Sequence, residues 1–337
     1  MFIKIRKYLI ILFILIIFYF NKINSSIGDI SPYFNFCIFK CKDLYDCPEF
    51  KYFQFTWWTK EKCFKCRQKC IWNTVEHFRI SKKPIPKFNG KWPFIPITIK
   101  IKNIYLATIQ EPASMFFSLL NAFSFWKMKQ KIKKNIQNDW KHFNKWLGFG
   151  RIGIITWIAS ILFHSCDHWI TETFDYCAAF SLILYTFYIS ICFCFPLINS
   201  LYFEYFGRKQ NILAIGLISF YLAYLKNIYS KPIFNYSFHM KCCILIGLLT
   251  GIIFLFWIFF EYLKGKKRFS IKILIITLII SFISASFDAF FDFPPIFWIF
   301  DAHSFFHLFS IPIPILWAEF LCLEAKLDKQ KIENKMI

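Results

Sequence analysis

Residues 291–307 read FDFPPIFWIFDAHSFFH and lie late in a long apolar region. Within this stretch Asp301, His303 and His307 stand almost alone as ionisable groups among aromatic side chains. Two histidines four residues apart share one face of a helix. Because imidazole is a favoured ligand of zinc, the pair predicts part of a metal site that needs at least one further ligand.

A second polar stretch, SILFHSCDHWITETFD at residues 160–175, offers the remaining groups. Ser160 lies four residues before His164, and Asp175 lies eleven residues after it. Three histidines with an open fourth position are typical of a catalytic zinc site, and such a zinc lowers the pKa of its bound water to about 7. We expect Asp175 to hold or deprotonate that water, and Ser160 to hydrogen-bond the water or the developing oxyanion.

Plainer interpretations of these residues stay open. A single membrane histidine usually makes a helix–helix hydrogen bond, and two at this spacing could form an aromatic-rich packing face. A nucleophilic triad of Ser160, His164 and Asp175 is conceivable, but it leaves His303 and His307 without a role.

Smaller assignments concern the residues around these two stretches. Glu111 and Ser114 flank Pro112 and predict the start of a helix, with a lipid-headgroup contact as the alternative. His168 is expected to be a luminal hydrogen-bonding group, with a part in the site as the alternative. Three tryptophans are expected to lie at the membrane interface: Trp157, Trp169 and Trp298.

The composition points to a membrane protein. A chain with 57% hydrophobic residues is too apolar for an ordinary soluble domain, and its 337 residues allow several spans of about 20 residues. The formal net charge of +21 would also suit nucleic-acid binding. The lysines, however, fall between apolar segments, which favours membrane topology as their explanation. No nucleic-acid partner is therefore predicted.

Residues 1–25 are predicted to be a secretory signal peptide, with a basic start, an apolar core and small residues at its end. A retained signal anchor is the alternative, because no A-x-A cleavage site is present. Residues 26–100 are more polar and predict a luminal domain closed by disulfides, with a zinc knuckle at Cys63 and Cys66 as the alternative. The domain has six cysteines, whose pairing the spacing does not decide: Cys37, Cys41, Cys47, Cys63, Cys66 and Cys70.

The rest of the chain predicts an all-α membrane protein, a seven-transmembrane helix bundle over residues 104–322 with a tail at 323–337. The spans are expected at about 104–125, 147–166, 174–200, 210–228, 240–262, 270–290 and 298–322. Lysine-rich segments follow the odd-numbered spans, whereas the segment between spans two and three has acidic residues and no Lys or Arg. This asymmetry predicts a luminal N-terminal domain and a cytosolic tail, and places both polar stretches near the luminal face.

Several short motifs, in order, resemble one known family. They are Ser26-Ile-Gly-Asp29, Asn89-Gly-Lys-Trp-Pro-Phe94, Gln110-Glu-Pro-Ala-Ser114 with Asn121, Phe163-His164, Asp175-Tyr176, Asp292-Phe-Pro-Pro295 and Asp301-Ala-His303. The serine, histidine, aspartate and H-x-x-x-H pattern is similar to the CREST superfamily of seven-span metal hydrolases. Within it, the chain resembles the Per-type, post-GPI attachment to proteins factor 3 family.

This resemblance implies a zinc-dependent enzyme that removes the sn-2 fatty acyl chain from the GPI lipid of anchored proteins in the luminal leaflet of the endoplasmic reticulum or Golgi. It implies that three histidines hold the zinc (His164, His303 and His307) and that Asp175 and Ser160 support the water. The chain departs from the expected pattern beside the metal, at Ala159, Cys166 and His168, which puts substrate preference and rate in doubt.

Two other functions remain as alternatives. A ceramidase-like lipid amide hydrolase would use the same metal chemistry, although the cysteine-rich domain and the NGKWPF and QEPAS motifs argue against it. A receptor or an escort for GPI-anchored proteins would carry a structural zinc, although Asp175 and Ser160 beside three histidines favour chemistry.

Overall fold

The computed structural model describes residues 26–47, 61–101, 104–195, 203–229, 236–265 and 268–336. The predicted signal peptide, residues 1–25, lies outside these ranges. The described elements are α1 (Pro32–Tyr45), α2 (Glu61–Ile80), β1 (Ile97–Ile101), β2 (Ile104–Ile109), α3 (Pro112–Asn135), α4 (Phe143–Ser165), α5 (Trp169–Cys194), α6 (Phe203–Tyr229), α7 (Tyr236–Leu263), α8 (Phe269–Phe290), α9 (Ala302–Ser310) and α10 (Ile313–Met336).

The predicted fold class is confirmed: the protein is a nearly all-helical, multi-pass membrane protein with a disulfide-rich N-terminal domain. Its span count differs from the prediction. Among the described residues, six helical segments are long and apolar enough to cross a membrane, namely α4, α5, residues 211–228 of α6, α7, α8, and α9 together with α10. The predicted tail from residue 323 is a continuation of α10.

The first predicted span, at about 104–125, starts in the wrong place. Residues 104–109 form strand β2, and the helix begins only at Pro112. Polar residues interrupt the apolar part of α3 and lysines follow from Lys127, so α3 is not among the six membrane-spanning candidates. Ser118 and Asn121 are fully buried in the bundle instead, which explains how a helix of low hydropathy belongs to it.

The hairpin of β1 and β2 was not predicted. Its strands pair antiparallel, with Ile97 opposite Ile109 and Thr98 opposite Thr108. Isoleucines alternate with polar residues along β1 (ITIKI), and a period of two is typical of a strand. The period of two was therefore visible in the sequence of β1. Strand β2 was instead assigned to the start of an apolar span.

In the described part of the cysteine-rich domain, two helices are joined by disulfides, which confirms the disulfide prediction, and both cysteines of the alternative zinc knuckle are disulfide-bonded. The bonds are Cys37–Cys70, Cys41–Cys66 and Cys47–Cys63. Two cysteines one turn apart on α1 face two cysteines one turn apart on α2, so an antiparallel helix pair brings them together in nested order. A small core of Phe34, Ile71 and Val75 completes the domain.

This domain is docked on the segment that precedes α9. Lys87 Nζ lies 2.7 Å from a carboxylate oxygen of Asp292. The backbone N–H of Ile95 donates to the carbonyl of Trp298 at 3.0 Å, and the ring of Trp72 packs edge-on against Trp298 at 5.0 Å. The indole N–H of Trp92 also donates to Asp292 at 2.9 Å, so the DFPP motif and the NGKWPF motif are neighbours across the interface between domain and bundle.

Close helix packing holds α3 and α9 in place. Gly153 of α4 faces Phe125 of α3, and a Cβ at this glycine would lie 2.1 Å from the phenylalanine ring, so a larger residue would force the helices apart. Pro312 breaks the helix between α9 and α10 because proline lacks a backbone N–H. A side chain of α3 ties it to α9: Asn121 Nδ2 donates to the carbonyl of His307 at 2.7 Å.

Candidate metal centre

Three histidines meet at the end of the bundle that carries the cysteine-rich domain. His164 ends α4, whereas His303 and His307 lie in the first two turns of α9. Their candidate ligand atoms all lie within 4.8 Å of one another, and the two Nε2 atoms of His303 and His307 are 2.9 Å apart. The tertiary fold therefore brings together the two polar stretches singled out from the sequence.

Each histidine is held through its other ring nitrogen. Nδ1 of His164 lies 2.7 Å from Glu111 Oε2, and Nδ1 of His303 lies 2.7 Å from Asp288 Oδ1. The third contact joins Nδ1 of His307 to the hydroxyl of Ser118 at 2.8 Å. When Nδ1–H donates to such a partner, the tautomer leaves Nε2 free to bind a metal and the ring is fixed in orientation.

The free nitrogens fit zinc. His164 is 1% exposed, yet its Nε2 has no hydrogen-bond partner, and a buried polar atom without a partner is costly. Ligands of a tetrahedral zinc lie about 2.0–2.1 Å from the ion, so their nitrogens are roughly 3.3 Å from one another. The separation of 2.9 Å between His303 and His307 is close to this value. The donor set and its supports are those expected of a zinc site.

Asp175 and Ser160 lie beside the histidines. The Asp175 carboxylate is 8% exposed, within hydrogen-bonding reach of the Ser160 hydroxyl, and interacts electrostatically with His164 and His303. The Ser160 hydroxyl also lies 3.1 Å from that of Ser118. All five residues predicted for the site are therefore brought into one cluster.

The nucleophilic triad considered from the sequence does not match this arrangement. A triad needs its acidic member on the Nδ1 of the histidine, and Glu111 occupies that position on His164. The Asp175 carboxylate instead lies within hydrogen-bonding reach of the Ser160 hydroxyl. The geometry favours the metal interpretation, in which His303 and His307 also have a role.

A lysine from the cysteine-rich domain extends the cluster. Lys91 Nζ lies 2.6 Å from Glu111 Oε1, 3.2 Å from Asp167 Oδ2 and 3.9 Å from the centre of the Phe163 ring. Burial opposes ionisation of both partners, but Asp167 and Glu111 raise the pKa of Lys91, and Lys91 and His164 hold the pKa of Glu111 well below its usual range. Lysine and glutamate are thus a charged pair.

Two other polar residues of these stretches cap helices. The Asp301 carboxylate accepts from the backbone N–H of Ser304 at 2.8 Å and caps α9. His168 caps α5 by accepting from the backbone N–H of Ile170. Burial raises the pKa of the Cys166 thiol to about 12, so Cys166 remains a neutral thiol beside the site.

One aromatic prediction was wrong. Trp157 is not an interfacial residue, because it is 7% exposed and its ring packs edge-on against His307 at 5.1 Å. Trp169, by contrast, is 60% exposed, which agrees with an interfacial position.

Sequence reasoning missed most of the residues that hold the histidines. Glu111 was assigned to the start of a helix, and it is the N-cap of α3 as well as the partner of His164. Ser118 lies seven residues after Glu111 on the same helix, a spacing that shares one face. Asp288 is the only acidic residue in α8, and an acid within an apolar helix is a signal of function that was available.

Fold and site together define a multi-pass membrane protein with a buried three-histidine candidate metal centre at one end of its helix bundle. The chain belongs to the Per1-like family, which it matches over residues 52–325. This confirms the family resemblance seen in the sequence motifs.

Named relatives match most of the chain. A Drosophila melanogaster protein named "Post-GPI attachment to proteins factor 3" is 29% identical over 78% of this chain and 74% of its own length. Proteins named "GPI-specific phospholipase A2-like PGAP3" match from Xenopus laevis, with 27% identity over 91% of this chain and 92% of the relative, and from Homo sapiens, with 25% identity over 92% and 94%. No solved structure matches the chain.

Proposed function

We propose that this protein remodels GPI anchors by hydrolysing the sn-2 fatty acyl ester of the GPI lipid in a zinc-dependent reaction. The names of its relatives support GPI remodelling and a phospholipase A2-like activity. The observation that carries the metal-dependent part is the convergence of three imidazoles, each held through Nδ1 by Glu111, Asp288 or Ser118. A packing role alone would not require an acceptor on every ring.

In this proposal His164, His303 and His307 hold the zinc. Bound zinc supplies a Lewis acid and a water of lowered pKa. Asp175 takes a proton from the attacking water and returns it to the departing glycerol oxygen, so that one ester and one water give a fatty acid and a lyso-GPI. Ser160 orients Asp175 by donating a hydrogen bond to its carboxylate.

The position of the site suits an ester at the boundary between lipid headgroup and acyl chain. It lies at the end of the bundle, beside a domain with three disulfides, and disulfides form in oxidising compartments such as the lumen of the secretory pathway. His303 is 31% exposed whereas His164 and His307 are buried, so substrate would approach from its side. We therefore propose a luminal site in the endoplasmic reticulum or Golgi, a cytosolic C-terminus, and GPI-anchored proteins as partners.

Mass spectrometry of GPI lipids tests the proposal. Cells that lack the protein would be compared with cells rescued by the native form or by a form carrying His303→Ala and His307→Ala. We expect the native form alone to remove the sn-2 acyl chain. Identical GPI lipids in all three would overturn the proposal. Release of a sphingoid base in place of a lyso-GPI would point to the ceramidase-like alternative.

A control separates chemistry from a structural zinc. The Asp175→Asn form would be purified and its zinc measured beside its activity. Normal zinc with no product is the expected result for an enzyme. A receptor or escort with a structural zinc would instead leave GPI lipids unchanged even in the native form.

A further inference from the structure

Lys91 of the cysteine-rich domain contacts the residues that hold the candidate metal centre. Lys91 belongs to the NGKWPF motif of that domain, and its Nζ lies 2.6 Å from Glu111 Oε1. The other oxygen of the same carboxylate lies 2.7 Å from Nδ1 of His164. Three residues from three separate segments thus form a continuous chain of contacts that ends on a proposed zinc ligand.

We propose that Lys91 is a positioning residue for the metal centre, acting on His164 through Glu111. This inference rests on the proposed function only in its assumption that the three histidines bind zinc. It assigns to the cysteine-rich domain a part in the centre itself, in addition to its own folding.

The physical argument begins with the burial of Glu111. Its side chain is 8% exposed, and burying a carboxylate is costly unless a counter-charge and hydrogen bonds compensate. An imidazole that binds a metal is neutral, so in the metal-bound centre Lys91 is the cationic side chain in direct contact with this carboxylate. Without it, Glu111 would be expected to leave its place, and Nδ1 of His164 would lose the acceptor that fixes its tautomer and orientation.

Lys91 is itself held firmly by the domain. The backbone of Phe88 and Lys91 is joined by two hydrogen bonds, of 2.8 and 3.0 Å, around a tight turn. Gly90 has a φ of +79°, a conformation that favours glycine, and its N–H donates to the hydroxyl of Ser26 at 2.6 Å. The N–H of Asn89 donates to Asp29 at 2.6 Å. The SIGD motif therefore fixes the turn that presents Lys91.

A second ion pair at the same interface provides a matched control. Lys87 Nζ lies 2.7 Å from Asp292 Oδ2, and Asp292 is 63% exposed. This pair joins the same domain to the same bundle but contacts none of the residues of the metal centre described above. If Lys91 only docked the domain, Lys91→Met and Lys87→Met would have similar effects.

The test measures zinc affinity of the purified full-length protein by competition with a chelator, for the parent and for Lys91→Met, Lys87→Met, Lys91→Arg and Glu111→Gln. We expect Lys91→Met to weaken zinc binding about 10–100-fold, the size typical of a lost supporting contact. Lys87→Met should bind as the parent does, and Lys91→Arg should recover most of the affinity because it keeps the charge.

A double variant tests whether Lys91 acts through Glu111. The loss for Lys91→Met combined with Glu111→Gln should be no greater than the loss for Glu111→Gln alone, because neighbours in one network are not additive. Additive losses, or equal losses for Lys91→Met and Lys87→Met, would overturn the inference. A parent that binds zinc but forms no lyso-GPI would overturn the proposed function alone, whereas a parent that binds no zinc would overturn both.

Discussion

Asp288 and His303 join the end of α8 to the start of α9, through a contact of 2.7 Å between Oδ1 and Nδ1. They are 15 positions apart along the chain, and the DFPP motif that contacts the cysteine-rich domain lies between them. Because Asp288 lies on a helix, its hydrogen bond to Nδ1 fixes the orientation of the His303 ring. Similar contacts from α3 fix the other two rings, so the centre is built from rigid elements.

Asp288→Asn is expected to weaken zinc binding about 10–100-fold, because an amide accepts a weaker hydrogen bond from Nδ1 than a carboxylate does. Chelator competition on the purified protein measures the change. Asp139→Asn is the control, since Asp139 is an exposed acid at the opposite end of the bundle. Unchanged affinity in Asp288→Asn would show that the contact does not support a ligand.

Asp175→Asn is expected to keep zinc and to lower the rate of sn-2 deacylation by about 10²–10⁴-fold, the usual contribution of a general base. Product formation and zinc content should be measured on the same preparation. Ser160→Ala should lose less, since Asp175 would lose only one hydrogen bond. If Asp175→Asn lost its zinc, the carboxylate would be a ligand or a support, and its proposed role in proton transfer would be wrong.

Zinc should stabilise the folded protein. With free zinc about 100-fold above Kd, binding contributes about 2.7 kcal/mol to the free energy of unfolding. A thermal unfolding series with increasing zinc, after treatment with a chelator, measures the effect. His307→Ala should not respond to zinc, and magnesium at the same concentration is the control ion because it prefers oxygen ligands. An equal response to both ions would contradict a histidine site.

A buried ion cluster at the other end of the bundle should be important for stability. Arg268 is 15% exposed and pairs with Glu324 at 2.9 Å and with Glu261. Arg268→Met removes the one guanidinium that the two buried carboxylates share, and we expect a loss of about 3–5 kcal/mol. Lys264 also pairs with Glu261, but it is 58% exposed, so Lys264→Met should cost about 0–1 kcal/mol. Denaturation of both variants in the same detergent compares them, and equal losses would contradict the argument.

Much of the architecture was readable from local patterns. Long apolar runs predicted the membrane helices from α4 onward, and the H-x-x-x-H spacing placed His303 and His307 on one face of α9. The six cysteines predicted disulfides, and family motifs predicted the Per1-like family. Each of these patterns is defined by residues close together in the chain, so it can be recognised without knowledge of the tertiary structure.

The boundaries of the helices and strands, and the burial of single residues, were harder to predict from the sequence. The first predicted span merged strand β2 with α3, because hydropathy averages over a window and does not distinguish a period of two from a helical period. Trp157 was assigned to the interface by residue type, although its place on the inner face of α4 buries it against His307. Residue type sets a preference, whereas packing sets the position.

Residue type and local period were enough to predict the side chains that could bind a metal and the membrane helices from α4 onward. The groups that hold those side chains, in contrast, come from distant parts of the chain and meet through the packing of separate elements. Ser118 meets His307 across 189 positions, Glu111 meets His164 across 53, and Lys91 enters from another domain. The physical reason is that a hydrogen bond requires two atoms within about 3 Å, and sequence spacing does not encode that distance between separate elements.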